Sequence, residues 1–400
     1  MFSLFLYTGL GALFAAGWQT LLARFSGPEF YGLFYSFIVI TNILSSIICF
    51  GFSQMLMKES SKDRSYWKKN IFSVILSLTI SGVVVTLIVV NVIGSLVEDY
   101  DSFYIYLVAL SLAFYQVTNS KFQINFEYKK LSKWQLTPHL LRFGLILIVF
   151  FGFVKLDDLY LFWSLISFFI ICIALYHFDL FKSETVFDFG LAGCKRVYLN
   201  GFSFGISSFI HLLLINYTPI VVSYELNSTE VGYYFVIQNF LFSSYLIPTV
   251  LYQKYYQPKI YKWFEDYGFS YDFHKKLKKI QNESAFLCLG MFLFMVLISK
   301  LYIVFLGDTY SELYTYFIIV CFIMPMRFCS GYYGALLNIN NFIKDKVKIQ
   351  VVVLSISAVP VFSMIFYYGF DGAILSLFLM EAMLCLLMRR KLRVLVKNEN

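Results

Sequence analysis

Twelve apolar runs, separated by short charged stretches, constrain this chain more than any other feature. Their approximate limits are 2–22, 31–55, 71–93, 103–120, 135–154 and 159–177 in the first half. In the second half they are 202–222, 231–251, 284–306, 313–336, 349–368 and 373–388. A helix needs roughly 20 apolar residues to cross about 30 Å of hydrocarbon. Only 14% of the 400 residues are charged, against about 25% in a soluble domain. The charges gather between the runs, so the reading is an all-α polytopic membrane protein with about 12 transmembrane helices. The first run begins at Phe2 with no basic residue before it and no small-residue cleavage site behind it. It is expected to be a permanent span and not a cleaved signal.

The basic residues set the orientation. Loops after the even-numbered runs, together with the C-terminal tail, hold 27 of the 32 Lys and Arg. This bias places both termini in the cytoplasm. It also accounts for the net charge of +8, so no nucleic-acid partner is expected. The stretch 179–201 divides the chain into a first bundle, 1–178, and a second bundle, 202–390, followed by a cytoplasmic tail, 391–400. The seven Cys show no CxxC and no metal spacing, and they read as small buried residues. No P-loop, zinc motif, nucleophile elbow or Gly-rich phosphate loop is present. Neither a cofactor, a metal nor a catalytic residue is expected. The sequons at Asn227 and Asn282 read as chance matches.

The two halves echo each other. The first run ends in Ser26, Gly27, Pro28, Glu29, Phe30, Tyr31 and Gly32, and the seventh is followed by Asn227, Ser228, Thr229, Glu230, Val231 and Gly232. In both, a small polar turn leads to an apolar or aromatic residue, a glycine, and then the aromatics that open the next span. Halves with an even number of spans share one orientation, and an axis along the membrane normal would relate them.

The stretch "LLARFSGPEFYGLF" resembles the turn between the first two helices of polysaccharide-lipid flippases. These belong to the multidrug, oligosaccharidyl-lipid and polysaccharide exporter superfamily. "LNSTEVGYYFVIQNF" is similar to the matching place in their second half, "GYYGALLNINNFIKDKVKI" to the end of their tenth helix, and "FQINFEYKKLSKWQLTPHLLRF" to their fourth loop. The resemblance implies two six-helix bundles around a central cavity. It also implies transport of undecaprenyl-diphosphate-linked oligosaccharide repeat units across a bacterial inner membrane, as in Wzx-type O-antigen flippases. Polymerase and chain-length proteins of the same pathway are the protein partners it implies.

Ionisable side chains deep in a span are costly and are functional candidates by default. Arg142 lies eight residues beyond Trp134, read as an interface anchor, which is about 12 Å at 1.5 Å per residue. His139 shares its helix face. Arg327, eleven residues before Asn338, is about 16 Å deep, and Glu381, eight before Arg389, about 12 Å. An arginine fork can bind two phosphate oxygens at once. Arg142, Arg327, His139 and, at the outer end of the first span, Arg24 are therefore the expected substrate contacts. Glu381 is the one deep carboxylate available for ion coupling. The competing readings are that Arg327 and Glu381 neutralise each other, and that Arg24 snorkels to the interface. Gln116, Asn119, His211 and Asn216 read as interhelical hydrogen-bonders. Pro138, Pro219, Pro248, Pro325 and Pro360 are kink positions. The shared depth of Arg142 and Arg327 leads to the expectation that a double change of Arg327 to Ala and Glu381 to Gln leaves transport inactive.

Two other functions fit the composition. A membrane-embedded polymerase of the same sugar repeats would need a sizeable outward loop, and none is present. A drug or cation exporter of the same superfamily would call for acids well inside the first six spans, and there are none. The topology has a direct test. Reporter fusions should be active in the cytoplasm at Lys275 and outside at Asp99 and Asn227, and periplasmic reporter activity at Lys275 would overturn the assignment.

Overall fold

The computed structural model describes residues 2–63, 65–92, 101–178, 191–268, 270–338 and 342–398. The loop carrying Asp99 and most of the expected 179–201 linker lie outside the described residues. Every regular element among those described is helical. In chain order they are α1 (Phe2–Cys49), α2 (Phe52–Lys62), α3 (Ser65–Val92), α4 (Ser102–Ile124), α5 (Tyr128–Phe150) and α6 (Leu159–His177). Then follow α7 (Leu191–Glu225), α8 (Ser228–Thr249), a π-helical segment (Val250–Tyr256), α9 (Gln257–Tyr267), α10 (Tyr271–Leu306), α11 (Tyr314–Cys321), α12 (Ile323–Leu336) and α13 (Ile343–Asn398). Seven helical stretches among them are long and apolar enough to cross a membrane. Two of these, Gly9–Ser60 and Lys344–Arg393, are 52 and 50 residues long, more than twice what one crossing needs.

Both long stretches fold back on themselves. Trp18 and Phe34 of α1 have ring centroids 6.5 Å apart, where a straight helix would separate them by about 24 Å. The reversal falls at Gly27, whose φ of 77° is left-handed, followed by Pro28. In α13 the turn is at Gly369, with φ 55°. Lys391 and Asp345, the same helix by continuity, meet at 3.2 Å, against about 69 Å if the helix were straight. Glycine adopts these angles without the Cβ clash that other residues meet. Each long stretch is thus a helical hairpin, as its two expected spans require.

The chain packs as two compact units, Met1–Ser26 with Leu33–Asn216, and Gly27–Gly32 with Tyr217–Asn400. In the first, α4 packs against α2, α3 and α6, and Trp163, Phe34, Phe37 and Phe114 are buried. Asp63 caps the start of α3 by accepting from the Ser65 amide at 2.9 Å and its hydroxyl at 2.8 Å. Those bonds hold the exposed Asp63 carboxyl below its usual pKa. Lys121 donates to the carbonyl of His177 at the end of α6, the favourable end for a cation. Trp134 is buried, and its Nε1–H donates to the Tyr115 carbonyl at 3.3 Å. Its ring is packed against Tyr115 of α4, with centroids 5.5 Å apart.

In the second unit α12 packs on α13 and α10 on α11, over a core that includes Phe235, Phe317 and Tyr310. The long basic connection 252–282 is itself largely helical, comprising the π-helical segment, α9 and the first turns of α10. Ser270 starts α10 by accepting from the Phe273 N–H at 3.4 Å. Hydropathy detects only the apolar part of such a helix, so its charged extension is invisible to a span count.

The two echoing glycines, Gly32 and Gly232, belong to the same contact. A Cβ on Gly32 would collide with the Ser228 carbonyl, and one on Gly232 with the Pro28 carbonyl. The turn 27–32 and the start of α8 approach backbone to backbone, which only a missing side chain permits. Overpacking of this kind costs about 1–3 kcal/mol. Gly232→Ala should lower the melting temperature of the purified protein. Gly144→Ala, where nothing lies within 4 Å of the new methyl, should leave it unchanged or raise it. An unaltered melting temperature in Gly232→Ala would refute the close approach.

Candidate functional site

The first unit encloses a cavity of about 260 Å³. Its walls come from both arms of α1 and from α4, α5 and α6. Glycines on the first arm let α5 come close. A Cβ on Gly17 would meet the Phe143 ring at 3.1 Å, and one on Gly11 the His139 ring at 3.6 Å. That approach sets His139 and Arg142, one helical turn apart on α5, into the cavity wall beside Pro138.

Arg142 is half-buried. Its guanidinium lies 4.8 Å from the Trp163 ring centroid. Behind it the rings of Trp163, Trp18 and Phe34 meet edge to face, with centroids 5.0 Å (Trp18–Trp163) and 5.1 Å (Phe34–Trp163) apart. A cation over an indole face is attracted by the ring quadrupole, by ~2 kcal/mol when desolvated. That contact holds the guanidinium without using its N–H donors. Among the described residues no carboxylate forms an ion pair with Arg142, and the lining contains no Asp, Glu or Lys. The polar part of the wall is Gln19, Thr41, Asn42, Ser111, Tyr115 and His139. His139 Nδ1 and Trp18 Nε1 are buried without a hydrogen-bond partner. A buried polar atom left unbonded costs about 1–3 kcal/mol. The cavity therefore favours a ligand that presents acceptors and negative charge.

The other expected site residues lie elsewhere. Arg327 of α12 and Glu381 of α13 form an ion pair at 3.0 Å in the second unit. The second carboxylate oxygen of Glu381 accepts from the Ser330 hydroxyl at 3.1 Å, and the Arg327 guanidinium lies 4.5 Å from the Tyr245 ring centroid. Both oxygens of a buried carboxylate are thereby satisfied, which is the condition under which a buried pair is tolerated. Arg24 is exposed, three residues before the turn at Gly27, and does not line the cavity. Asn216 donates to the Leu212 carbonyl of its own helix at 3.0 Å, not to a neighbouring helix. Gln19 and Asn42, amides inside the first two spans, escaped notice in the sequence. The rule that flagged Gln116 and Asn119 applies to them equally, but only the fold of α1 onto α5 shows which amides share a cavity.

A family model described as polysaccharide biosynthesis protein matches residues 21–315. The fold is similar to that of the lipid II flippase MurJ in an inward closed conformation, with a TM-score of 0.71 at 12% identity, over 98% of this chain and 88% of that one. It is similar to the eukaryotic MATE transporter AtDTX14, with a TM-score of 0.65 at 10% identity over 98% and 96%. The MATE multidrug transporter DinF-BH gives a TM-score of 0.65 at 15% identity over 98% and 93%. At these identities the likeness establishes the fold. No curated protein sequence matches the chain.

Breaking one side of the Arg327–Glu381 pair leaves a buried charge alone, at a cost on the order of 3 kcal/mol. Arg327→Ala and Glu381→Gln should each reduce membrane abundance, and the double substitution should recover it. Polymer export measured in parallel should recover too, contrary to the expectation drawn from depth alone. Normal abundance with export still absent in the double variant would return Arg327 to the substrate.

Proposed function

We propose the following for a chain that belongs to the polysaccharide biosynthesis protein family. It moves a lipid-linked oligosaccharide, carried on undecaprenyl diphosphate, from the cytoplasmic to the outer leaflet of a bacterial inner membrane. The O-antigen repeat unit is the cargo that the sequence resemblance favours. Both termini lie in the cytoplasm in this reading, as the distribution of basic residues requires.

One observation carries the proposal. A guanidinium with no carboxylate partner lines a polar, aromatic-walled cavity inside the apolar bundle. An uncompensated charge at such a place is expensive, and an anionic cargo would offset it. A cationic drug would find no carboxylate in this lining, which argues against the exporter alternative. Arg327 is committed to Glu381 and Ser330 in this reading, and Arg142 is the cation left to receive substrate. Arg24, exposed near the Gly27 turn, lies outside the cavity lining.

Arg142→Ala should abolish surface polymer in a strain lacking the native gene while the protein inserts at normal abundance. Arg142→Lys should restore it only in part, since a single ammonium cannot offer two parallel N–H donors. Full surface polymer from Arg142→Ala at normal abundance would remove Arg142 from the site and the proposal with it.

A further inference from the structure

The cavity around Arg142 has a size and a charge that restrict which part of the cargo it can hold. Its volume of about 260 Å³ falls below the roughly 300–1,000 Å³ of pockets that enclose drug-sized ligands. The space is partly open, and it matches one sugar ring of a chain that continues beyond it. The lining carries one permanent charge, Arg142. A dianionic diphosphate desolvated against one cation would keep an unbalanced buried charge, which is strongly unfavourable. A monoanion is balanced.

The wall chemistry points the same way. Tyr35 and Tyr115, both part-exposed, present ring surface, which suits the C–H faces of a pyranose. Gln19 and Asn42 offer amides that both donate and accept, as vicinal hydroxyls require. The guanidinium, 4.8 Å from the Trp163 ring centroid, offers paired N–H donors that match a planar carboxylate.

We propose that the first-unit cavity is a subsite for a single acidic sugar, a hexuronate, whose carboxylate pairs with Arg142 while its ring lies against Tyr35 and Tyr115. The inference rests on the transport reading above and names the cargo group that this cavity selects. A repeat unit containing one carboxylated sugar is the class of substrate it fits. Neutral sugars would lack the ion pair, and the diphosphate would sit outside this cavity.

The test is tryptophan emission of the purified protein in lipid nanodiscs, titrated with methyl β-glucuronide, methyl β-glucoside or inorganic pyrophosphate. The glucuronide should give a saturable change at a concentration at least about ten-fold below that needed for the glucoside, the margin expected of one charge-assisted contact. Pyrophosphate should bind more weakly than the glucuronide. Arg142→Ala should erase the preference for the glucuronide. Arg142→Gln, nearer in shape, provides the same comparison if the alanine variant is not monodisperse. Tighter, Arg142-dependent binding of pyrophosphate would overturn the sugar assignment and place the diphosphate there, with the transport reading intact. Equal binding of glucuronide and glucoside, or no Arg142-dependent change with any probe, would also overturn it. Failure of the transport reading is a separate result, normal export by Arg142→Ala.

Discussion

A backbone crossing hydrocarbon meets no water, so each amide and carbonyl must find its partner within the chain. A helix does this locally, and every regular element in the described residues is a helix. The consequence is a fold whose freedom is confined to where helices stop, reverse and touch. Gly27 and Gly369 supply the reversals inside the two longest helical stretches. Phe50 and Gly51, with φ of 40° and 71°, break the chain between α1 and α2, where the missing side chain of Gly51 lets the backbone of Gly205 come close.

The same constraint governs the charges. With few exceptions they lie at helix ends or in connections, where water is available. Two arginines and one glutamate lie deeper, and they are resolved in different ways. Arg327 is neutralised by Glu381, which Ser330 also bonds. Arg142 lies over an indole face and, among the described residues, pairs with no carboxylate. An aromatic ring orients a cation but does not cancel its charge. The difference between the two arginines is therefore chemical: one is a completed interaction, the other an offered one.

The basic connection 252–282 shows how far charge alone can inform. Its lysines mark the side expected to be cytoplasmic. The structure adds that Lys276 lies 3.8 Å from the Tyr267 ring centroid and 5.2 Å from that of Trp263, and that Lys259 lies 3.6 Å from that of Tyr255. Part of the positive charge thus braces a helical turn outside the apolar segment. Tyr256, buried at the end of the π-helical segment, donates to Glu283 on α10, which ties this connection to the helix that follows it.

The sequence by itself determined the class, the helical segments and the rarity of deep charges, because hydropathy over roughly 20 residues and the cost of burying an ion are local properties. It also marked Gly32 and Gly232, since a residue without a side chain at matched turns is visible in one dimension. It did not reveal that these two glycines meet the same backbone junction, that Trp134 turns inward, or that Gln19 and Asn42 share a wall with Arg142. Nor did the depths expected from the sequence, about 12 Å and about 16 Å, separate Arg142 from Arg327. Only the packing of one helix against another decides whether a carboxylate stands within 3 Å of a guanidinium, because a helix face is set by rotation about its axis and neighbours are set by the fold.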